Sequence, residues 1–385
     1  MRAPVLGAAV VAALALPATA RPEAVTIQAN PAHTGFVASG GPAPPLSRRW
    51  TARLDGALGY PVIGDGKAFI VTTFPLPRGP RVVALSLRDG RRVWSRELGA
   101  PSLPSAASIA YDAGRLIVTR NVYGGDPEEG AMLALSAQNG DVLWETDDLT
   151  LFEAGPPVVV DGVVYLSETG GGAGGVSAWS ASDGASLWRV STHQGGGGSA
   201  AVAGDTVFTQ IGCPPEVFRV RRDGTPLVPT SSNCTSGGGG TPVVSGARVL
   251  LWGSDSDSGV FDAATGARLG PLHSDYAPAV GNGLMLLVEA HTSGEPVYRG
   301  HTLVARRMDG RRAWRFRGDG YLDSAPLIAG RWAFVGSGSG RLYALDVRTG
   351  RVRSRTDAGA SVLSHLAAGE GLLLVPARGR LVAFG

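Results

Sequence analysis

Val83-Ala84-Leu85-Ser86-Leu87-Arg88-Asp89-Gly90-Arg91-Arg92-Val93-Trp94 reads as a strand, a tight turn ending in Gly90, and a second strand that carries Trp94. The same phrase returns at Leu133-Ala134-Leu135 with Gly140 and Trp144, at Ser177-Ala178-Trp179 with Gly184 and Trp188, and at Val304-Ala305 with Gly310 and Trp314. Degenerate copies keep the turn glycine and change the Trp. Gly224 is followed by Val228, Gly266 by Gly270, and Gly350 by Ser354. The spacing of these glycines, about 40–50 residues, is that of four-stranded propeller blades.

A second hairpin lies between successive copies. Pro61-Val62-Ile63 turns at Gly64-Asp65-Gly66 into Ala68-Phe69-Ile70-Val71, and Pro157-Val158-Val159-Val160 turns at Asp161-Gly162 into Val163-Val164-Tyr165-Leu166. Short Val- and Ile-rich runs joined by Asp-Gly are the hairpin signal. Each unit therefore holds strands A and B, then C and D. Eight A–B hairpins can be followed, beginning near Pro61, Ala106, Pro157, Ala200, Pro242, Pro278, Pro326 and Leu366. The last unit ends on a strand C, Arg380 to Phe384, and lacks a strand D. Leu46-Ser47-Arg48-Arg49-Trp50 is an orphan strand with the repeat's Trp. The predicted fold is all-β: an eight-bladed propeller of four-stranded antiparallel blades, its last blade closed by the N-terminal strand. Closure leaves no blade with an unpaired edge. Seven blades is the alternative, if one degenerate copy is an insertion.

The repeat, Ala-Leu with a turn Gly and a Trp four residues beyond it, resembles the PQQ-like (quinoprotein alcohol dehydrogenase-like) propeller repeat of secreted bacterial proteins. The resemblance covers nearly all of residues 46–385. It implies that Trp50, Trp94, Trp144, Trp188 and Trp314 dock blade against blade and touch no ligand. Asn30-Pro31-Ala32-His33-Thr34-Gly35 also resembles the segment that precedes the first blade in such proteins. The family holds both dehydrogenases and non-enzymatic scaffolds, so the repeat does not assign chemistry.

Composition narrows the classes. The chain has 385 residues, 44% hydrophobic and 17% charged, enough for one large core. Its 57 glycines and 26 prolines punctuate hydrophobic runs, as tight turns require. A formal charge of +3 is no nucleic-acid footprint. Residues 1–20 read as a signal peptide: Arg2, an apolar run from Val5 to Leu16, and Ala18-Thr19-Ala20 before the cleavage point. The run is too short to span a bilayer, and no Cys follows it to take a lipid anchor. Residues 21–45 read as an extended lead-in without periodicity. The expected location is periplasmic or extracellular, with no membrane span and a monomeric state. In such a compartment Cys213 and Cys234 are expected to form a disulfide.

The A–B and C–D turns, which share one face, are short. The B–C and D–A loops on the other face are long and irregular, which is where function resides on a rigid scaffold. Residues just before each strand A should rim the channel there: Tyr60, Phe152, Glu153, His193, Asp275, Tyr276, Tyr321, Asp323 and His365. Aromatic rings with a few polar groups suit a ligand or partner; the plainer role is to cap the channel mouth. Ser254-Asp255-Ser256-Asp257-Ser258-Gly259 lacks the Glu that a calcium loop needs, and no metal is expected. No nucleophile elbow is present, so no catalytic residue is assigned. The expected function is an exported, non-enzymatic binding or assembly scaffold for an envelope or extracellular protein or glycan. The alternatives are a dehydrogenase using PQQ with Ca²⁺, against which stands the lack of adjacent cysteines, and an extracellular carbohydrate-binding module. No cofactor is expected for the scaffold.

Overall fold

The computed structural model describes residues 24–75, 78–99, 105–122, 129–147, 149, 153–170, 173–192, 198–211, 216–227, 240–253, 258–290, 300–362 and 365–385. Cys213, Cys234, Phe152 and His193, and the signal-peptide segment, lie outside them, as does the side chain of Glu153.

Eight sheets form the eight blades, and no helix occurs among the described residues. Blade 1 is the pattern for the rest: strand A Ala57–Gly64, B Lys67–Thr73, C Arg81–Ser86 and D Arg92–Glu97, antiparallel in that order. The last blade takes Arg48–Arg53 as its strand D, with Trp50 opposite Ala383. The start of that strand thus lies beside the last residue, Ser47 N–H donating to the Gly385 carbonyl at 2.9 Å with the reverse bond also at 2.9 Å. Blade 4 departs from the pattern. It has three described strands, and beyond Arg221 only an isolated bridge between Val220 and Pro226 stands near the strand D place.

The repeat's chemistry explains how blades dock. In strand C a small Ala faces the Trp of strand D: Ala84 with Trp94, Ala134 with Trp144, Ala178 with Trp188, Ala305 with Trp314. Each indole crosses to the next blade and lies on that blade's turn glycine. Its Nε1–H donates to a turn carbonyl there: Trp50 to Leu87 at 2.7 Å, Trp94 to Ala137 at 3.2 Å, Trp144 to Ala181 at 3.1 Å, Trp188 to Arg222 at 2.9 Å and Trp314 to Val347 at 2.9 Å. The glycine is needed twice over. Gly184 has φ +75°, and a Cβ there would stand 2.6 Å from the Trp144 ring. Between blades the cores are continuous, one apolar cluster per junction; Phe69, Ile109, Leu116 and Leu133, for example, join blades 1 and 2.

The lead-in is part of the core. Backbone carbonyls of residues 24–40 accept hydrogen bonds from blade after blade in order around the ring. Ala24 takes the N–H of Ile63 and Val25 that of Tyr111; Pro31 takes Val202, Ala32 takes Val244, Thr34 takes Val280, Gly35 takes Ile328 and Gly40 takes Gly371. At blade 3 the contact comes from a side chain, Thr26 Oγ1 donating to the Pro157 carbonyl at 2.8 Å. Six of these N–H groups lie on the inner edge of the strands A and the seventh, that of Gly371, in an A–B turn; at blade 7 the lead-in pairs as a short strand, Phe36–Val37 parallel to Leu327–Ala329. The lead-in therefore satisfies donors that the ring would otherwise leave unpaired inside the protein. Its lack of hydrophobic periodicity follows, because it crosses a different blade every few residues, so that Ala24, Val37 and Phe36 bury their side chains at different junctions.

Trp144 is half-buried, so Trp144→Ala should cost about 2–3 kcal/mol, below the range for fully buried aromatic truncations. Leu143→Ala, at a neighbouring side chain 52% exposed, should stay within about 0.5 kcal/mol. Urea unfolding of the two variants compares them directly.

Candidate functional site

The lead-in closes the axis from the A–B side. Its bonds go to the strands A, to the A–B turns at Gly330 and Gly371, and, through Thr26 and His33, to the carbonyls of Pro157 and Pro242 just before two of those strands. The motif Asn30 to Gly35 shapes this plug. Asn30 Nδ2 donates to Thr34 Oγ1 at 2.6 Å and to the Phe36 carbonyl at 2.9 Å, while its Oδ1 accepts the Thr34 N–H at 3.2 Å. His33 stands inside, fully buried. Its Nδ1 is 3.1 Å from the Pro242 carbonyl, which can only accept, so the proton sits on Nδ1. Nε2 is 3.3 Å from Ser199 Oγ. Burial pushes the His33 imidazole down to about 4, against the pull of the Pro242 carbonyl and with a further push from His365. His365, lowered by burial to about 4, lies edge-on to the Tyr60 ring at 6.4 Å.

On the B–C/D–A face the structure gathers side chains of blades 6 and 7. Ser274 Oγ donates to the Tyr276 carbonyl at 2.6 Å and accepts the Val288 N–H at 3.2 Å, and Asp275 N–H donates to the Val288 carbonyl at 2.8 Å. These bonds pin the turn that presents Asp275 and Tyr276. Asp275 Oδ2 is 3.0 Å from His301 Nε2. The Tyr276 ring meets that imidazole edge-on at 5.5 Å, and its hydroxyl donates to Asp323 Oδ1. Asp323 is fixed in turn by its own N–H to the Gly336 carbonyl at 3.0 Å. The sequence reading missed His301. It begins strand C directly after the long loop from His291, and that place was its only signal.

Beside this cluster Asp319 accepts from Ser337 Oγ at 2.9 Å, from the Tyr321 N–H at 3.1 Å and from Ser339 Oγ. Burial would raise this carboxyl, but those three donors together hold it below the usual carboxylate range. The tightened loop leaves Tyr321 61% exposed. The result is a rigid rim of carboxylates with one exposed ring.

The remaining rim residues are placed differently. Tyr60 is buried, and its hydroxyl is spent on the next blade. It donates to the Ile109 carbonyl at 2.7 Å and accepts the Ile109 N–H at 3.2 Å, and burial pushes the phenol up. Glu153 contributes backbone, pairing with Thr169. The glycines before the strands A of blades 3 to 5 are close contacts, not spacers: a Cβ on Gly155 would stand 2.1 Å from the Gly198 carbonyl oxygen, and one on Gly198 2.2 Å from that of Gly240.

An eight-bladed ring with Trp-to-Gly docking around its circuit defines a PQQ-like repeat propeller. The family model described as "Outer membrane protein assembly factor BamB" matches residues 47–174, 172–306 and 299–385, and the chain belongs to that family. No curated protein matches the chain at a significant level. Among solved structures it resembles a europium-containing methanol dehydrogenase at 15% identity and TM-score 0.69, covering 92% of this chain and 89% of that one. It resembles the quinohemoprotein alcohol dehydrogenase from Comamonas testosteroni at 14% identity and TM-score 0.70, covering 94% and 80%. BamB from Moraxella catarrhalis matches at 17% identity and TM-score 0.60, covering 88% and 97%. At these identities the likeness is one of fold.

PQQ is a planar tricarboxylate, so a site for it calls for cationic side chains and hydrogen-bond donors. Here the plug takes the A–B end of the axis. The buried polar side chains it brings or meets there, Thr26, Gln28, His33 and Ser199, are uncharged. These plug residues offer a tricarboxylate no cation and do not fit the quinone. Among the described residues no group of three or more His, Cys, Asp or Glu could hold a metal ion, and no helix is long and apolar enough to cross a membrane.

An unfolded imidazole titrates near 6.5 and that of His33 near 4. Between those values the unfolded chain takes up a proton that the folded chain refuses. Stability is whole above about pH 6.5 and falls toward pH 4, by about 3 kcal/mol for His33 alone. His33→Gln should flatten that limb in urea midpoints measured from pH 4 to 7.

Proposed function

We propose that this chain is an exported, non-enzymatic binding or assembly scaffold that presents its B–C/D–A face to a protein of the cell envelope. One observation carries the reading. The N-terminal plug occupies the A–B end of the axis, and the exposed Tyr321 with the carboxylates Asp275, Asp319 and Asp323 stands at the opposite end. Such a rim offers hydrogen-bond acceptors and a stacking surface. It suits a partner segment that brings N–H donors, Arg or Lys, and an apolar side chain. The hydrogen bonds that fix these groups before binding lower the entropy cost of association. Membership of the assembly-factor family supports a protein partner. The signal-peptide pattern of residues 1–20 supports export, and no cofactor is required for this role.

The double variant Tyr321→Ala/Asp323→Asn, used as bait in an envelope extract, should retain the partner at least tenfold less than the parent chain. Asp65→Ala and Asn282→Ala, in the A–B turns, should retain it fully. Loss through the A–B variants alone would place the interface on the other face. A glycan eluting in place of a protein would favour the carbohydrate-binding alternative. Dye-coupled alcohol oxidation after addition of PQQ and Ca²⁺ would defeat the non-enzymatic reading.

A further inference from the structure

Three blades lack the docking Trp, and two of the gaps they leave are filled. Arg219, 4% exposed in strand C of blade 4, lies over Gly266 of blade 5, with its Nη1 3.5 Å from the Ala263 carbonyl and donating to that of Ala264. Ala263 stands three residues before the turn glycine, where Leu87, Ala137, Ala181 and Val347 receive their indoles. At the junction of blades 7 and 8, Ser354 holds the Trp place. The buried Leu46 closes on it, its N–H donating to Ser354 Oγ at 3.2 Å.

At the junction of blades 5 and 6 the core is packed, but among the described residues nothing fills the Trp place. Gly270 stands where the Trp belongs, paired with Val260. Across from it, the turn glycine of blade 6, Gly310, has nothing within 4 Å of where its Cβ would be. At Gly90, Gly140, Gly184, Gly224 and Gly350 a Cβ would stand 2.5, 2.7, 2.6, 2.9 and 2.6 Å from an indole. A cavity of about 440 Å³ opens at this place, with Gly270 and Gly310 among its walls and Leu272, Met285 and Leu287 for an apolar floor. A second space of about 510 Å³ adjoins it through Arg248 and reaches Met308. The acceptor is in place too. The blade 6 turn closes as the blade 4 turn does, Gly310 N–H to Arg307 like Gly224 N–H to Arg221. The Met308 carbonyl therefore corresponds to that of Arg222, which takes the Trp188 indole.

We propose that this notch binds the tryptophan side chain of an acidic segment on a partner protein. The molecule itself supplies the argument for the occupant: five of its own junctions show an indole on a turn glycine with its N–H on a turn carbonyl. The charge around the notch supplies the flanking chemistry. Arg248, Arg306 and Asp309 line it; Asp309 is taken by Arg311, 3.9 Å away, and by the Arg311 N–H, while Arg248 makes no ion pair among the described residues. Arg306 is already held by Glu289 at 3.0 Å, so Arg248 is the cation offered to the partner. This rim site is separate from the B–C/D–A face and does not depend on the function assigned to it.

The test titrates the full chain with the acetylated, amidated tripeptide Glu-Trp-Glu and follows backbone amide shifts and melting temperature. Saturable binding with Kd on the order of 1 mM or tighter is expected, with shifts centred on residues 269–273 and 306–310. Glu-Leu-Glu and Lys-Trp-Lys should each bind at least tenfold more weakly. Val260→Ala/Gly270→Trp, which supplies the missing indole and the usual facing Ala, should raise the melting temperature and abolish binding. Arg248→Glu should reverse the preference between the acidic and basic peptides, and it decides the matter if the refilled variant does not fold. As a positive control, Trp314→Gly cuts the same notch at the next junction, and indole should recover part of its lost melting temperature. Absence of saturable binding to the parent chain, binding unchanged by Gly270→Trp, or equal binding of Glu-Leu-Glu would each overturn the proposal.

Discussion

The fold depends on an indole laid across a blade junction onto a glycine. Each blade alone is a small twisted sheet with two apolar faces and too little core to stand by itself. The Trp of strand D gives it a directional bond to its neighbour. The ring covers an aromatic face, and Nε1–H reaches a carbonyl that the tight turn leaves unpaired. Because the turn needs a positive φ and the indole needs a surface without a Cβ, one residue type meets both demands. That coincidence is why Gly and Trp recur together at fixed spacing. It also explains why the departures are informative: Arg219, Leu46 and the vacant place at Gly270 are three different answers to the loss of the same contact.

Closure of the ring makes the second constraint. Six of the eight inner strands turn an N–H toward the axis that a lead-in carbonyl accepts, and the lead-in meets the other two blades through Thr26 and through the turn at Gly371. In doing so it stops one end of the channel and buries His33 in neutral form. The two ends of the molecule then differ in kind. One is a set of short turns over a plug, and the other is a rim of longer loops where Asp275, Tyr276, His301 and Asp323 hold one another in place.

Legibility varied with the range of the interaction. The hairpins and turn glycines are local, and the missing strand D of the last blade could be counted, so the eight-bladed ring and its closure by Arg48–Arg53 were readable. The rim was readable only in part. Asp275, Tyr276 and Asp323 could be picked as residues preceding strands A, but Tyr60 could be picked on the same rule and turned out to bolt blade 1 to blade 2. The rule reports where a residue sits along a strand. It does not report whether its polar atom finds a partner in the next blade. His301 escaped because its meeting with Asp275 spans a loop. The lead-in escaped because it meets a different blade every few residues, so neither its main-chain hydrogen bonds nor its few buried side chains make a period.

The sequence by itself determined the repeat, the order of the strands and the blade count, because those follow from turn chemistry and alternation within about 40 residues. It also determined that the strand at Arg48–Arg53 shares a sheet with the last strand. Only the tertiary structure decided which glycines are covered, which carbonyls receive an indole, what fills the axis and which carboxylates and rings meet at the rim. Those outcomes depend on contacts between blades, where one side chain can stand in for another from a different strand, as Arg219 does for Trp. A linear pattern cannot show such a replacement, because the physical requirement is a filled volume and a satisfied carbonyl, whichever part of the chain supplies them.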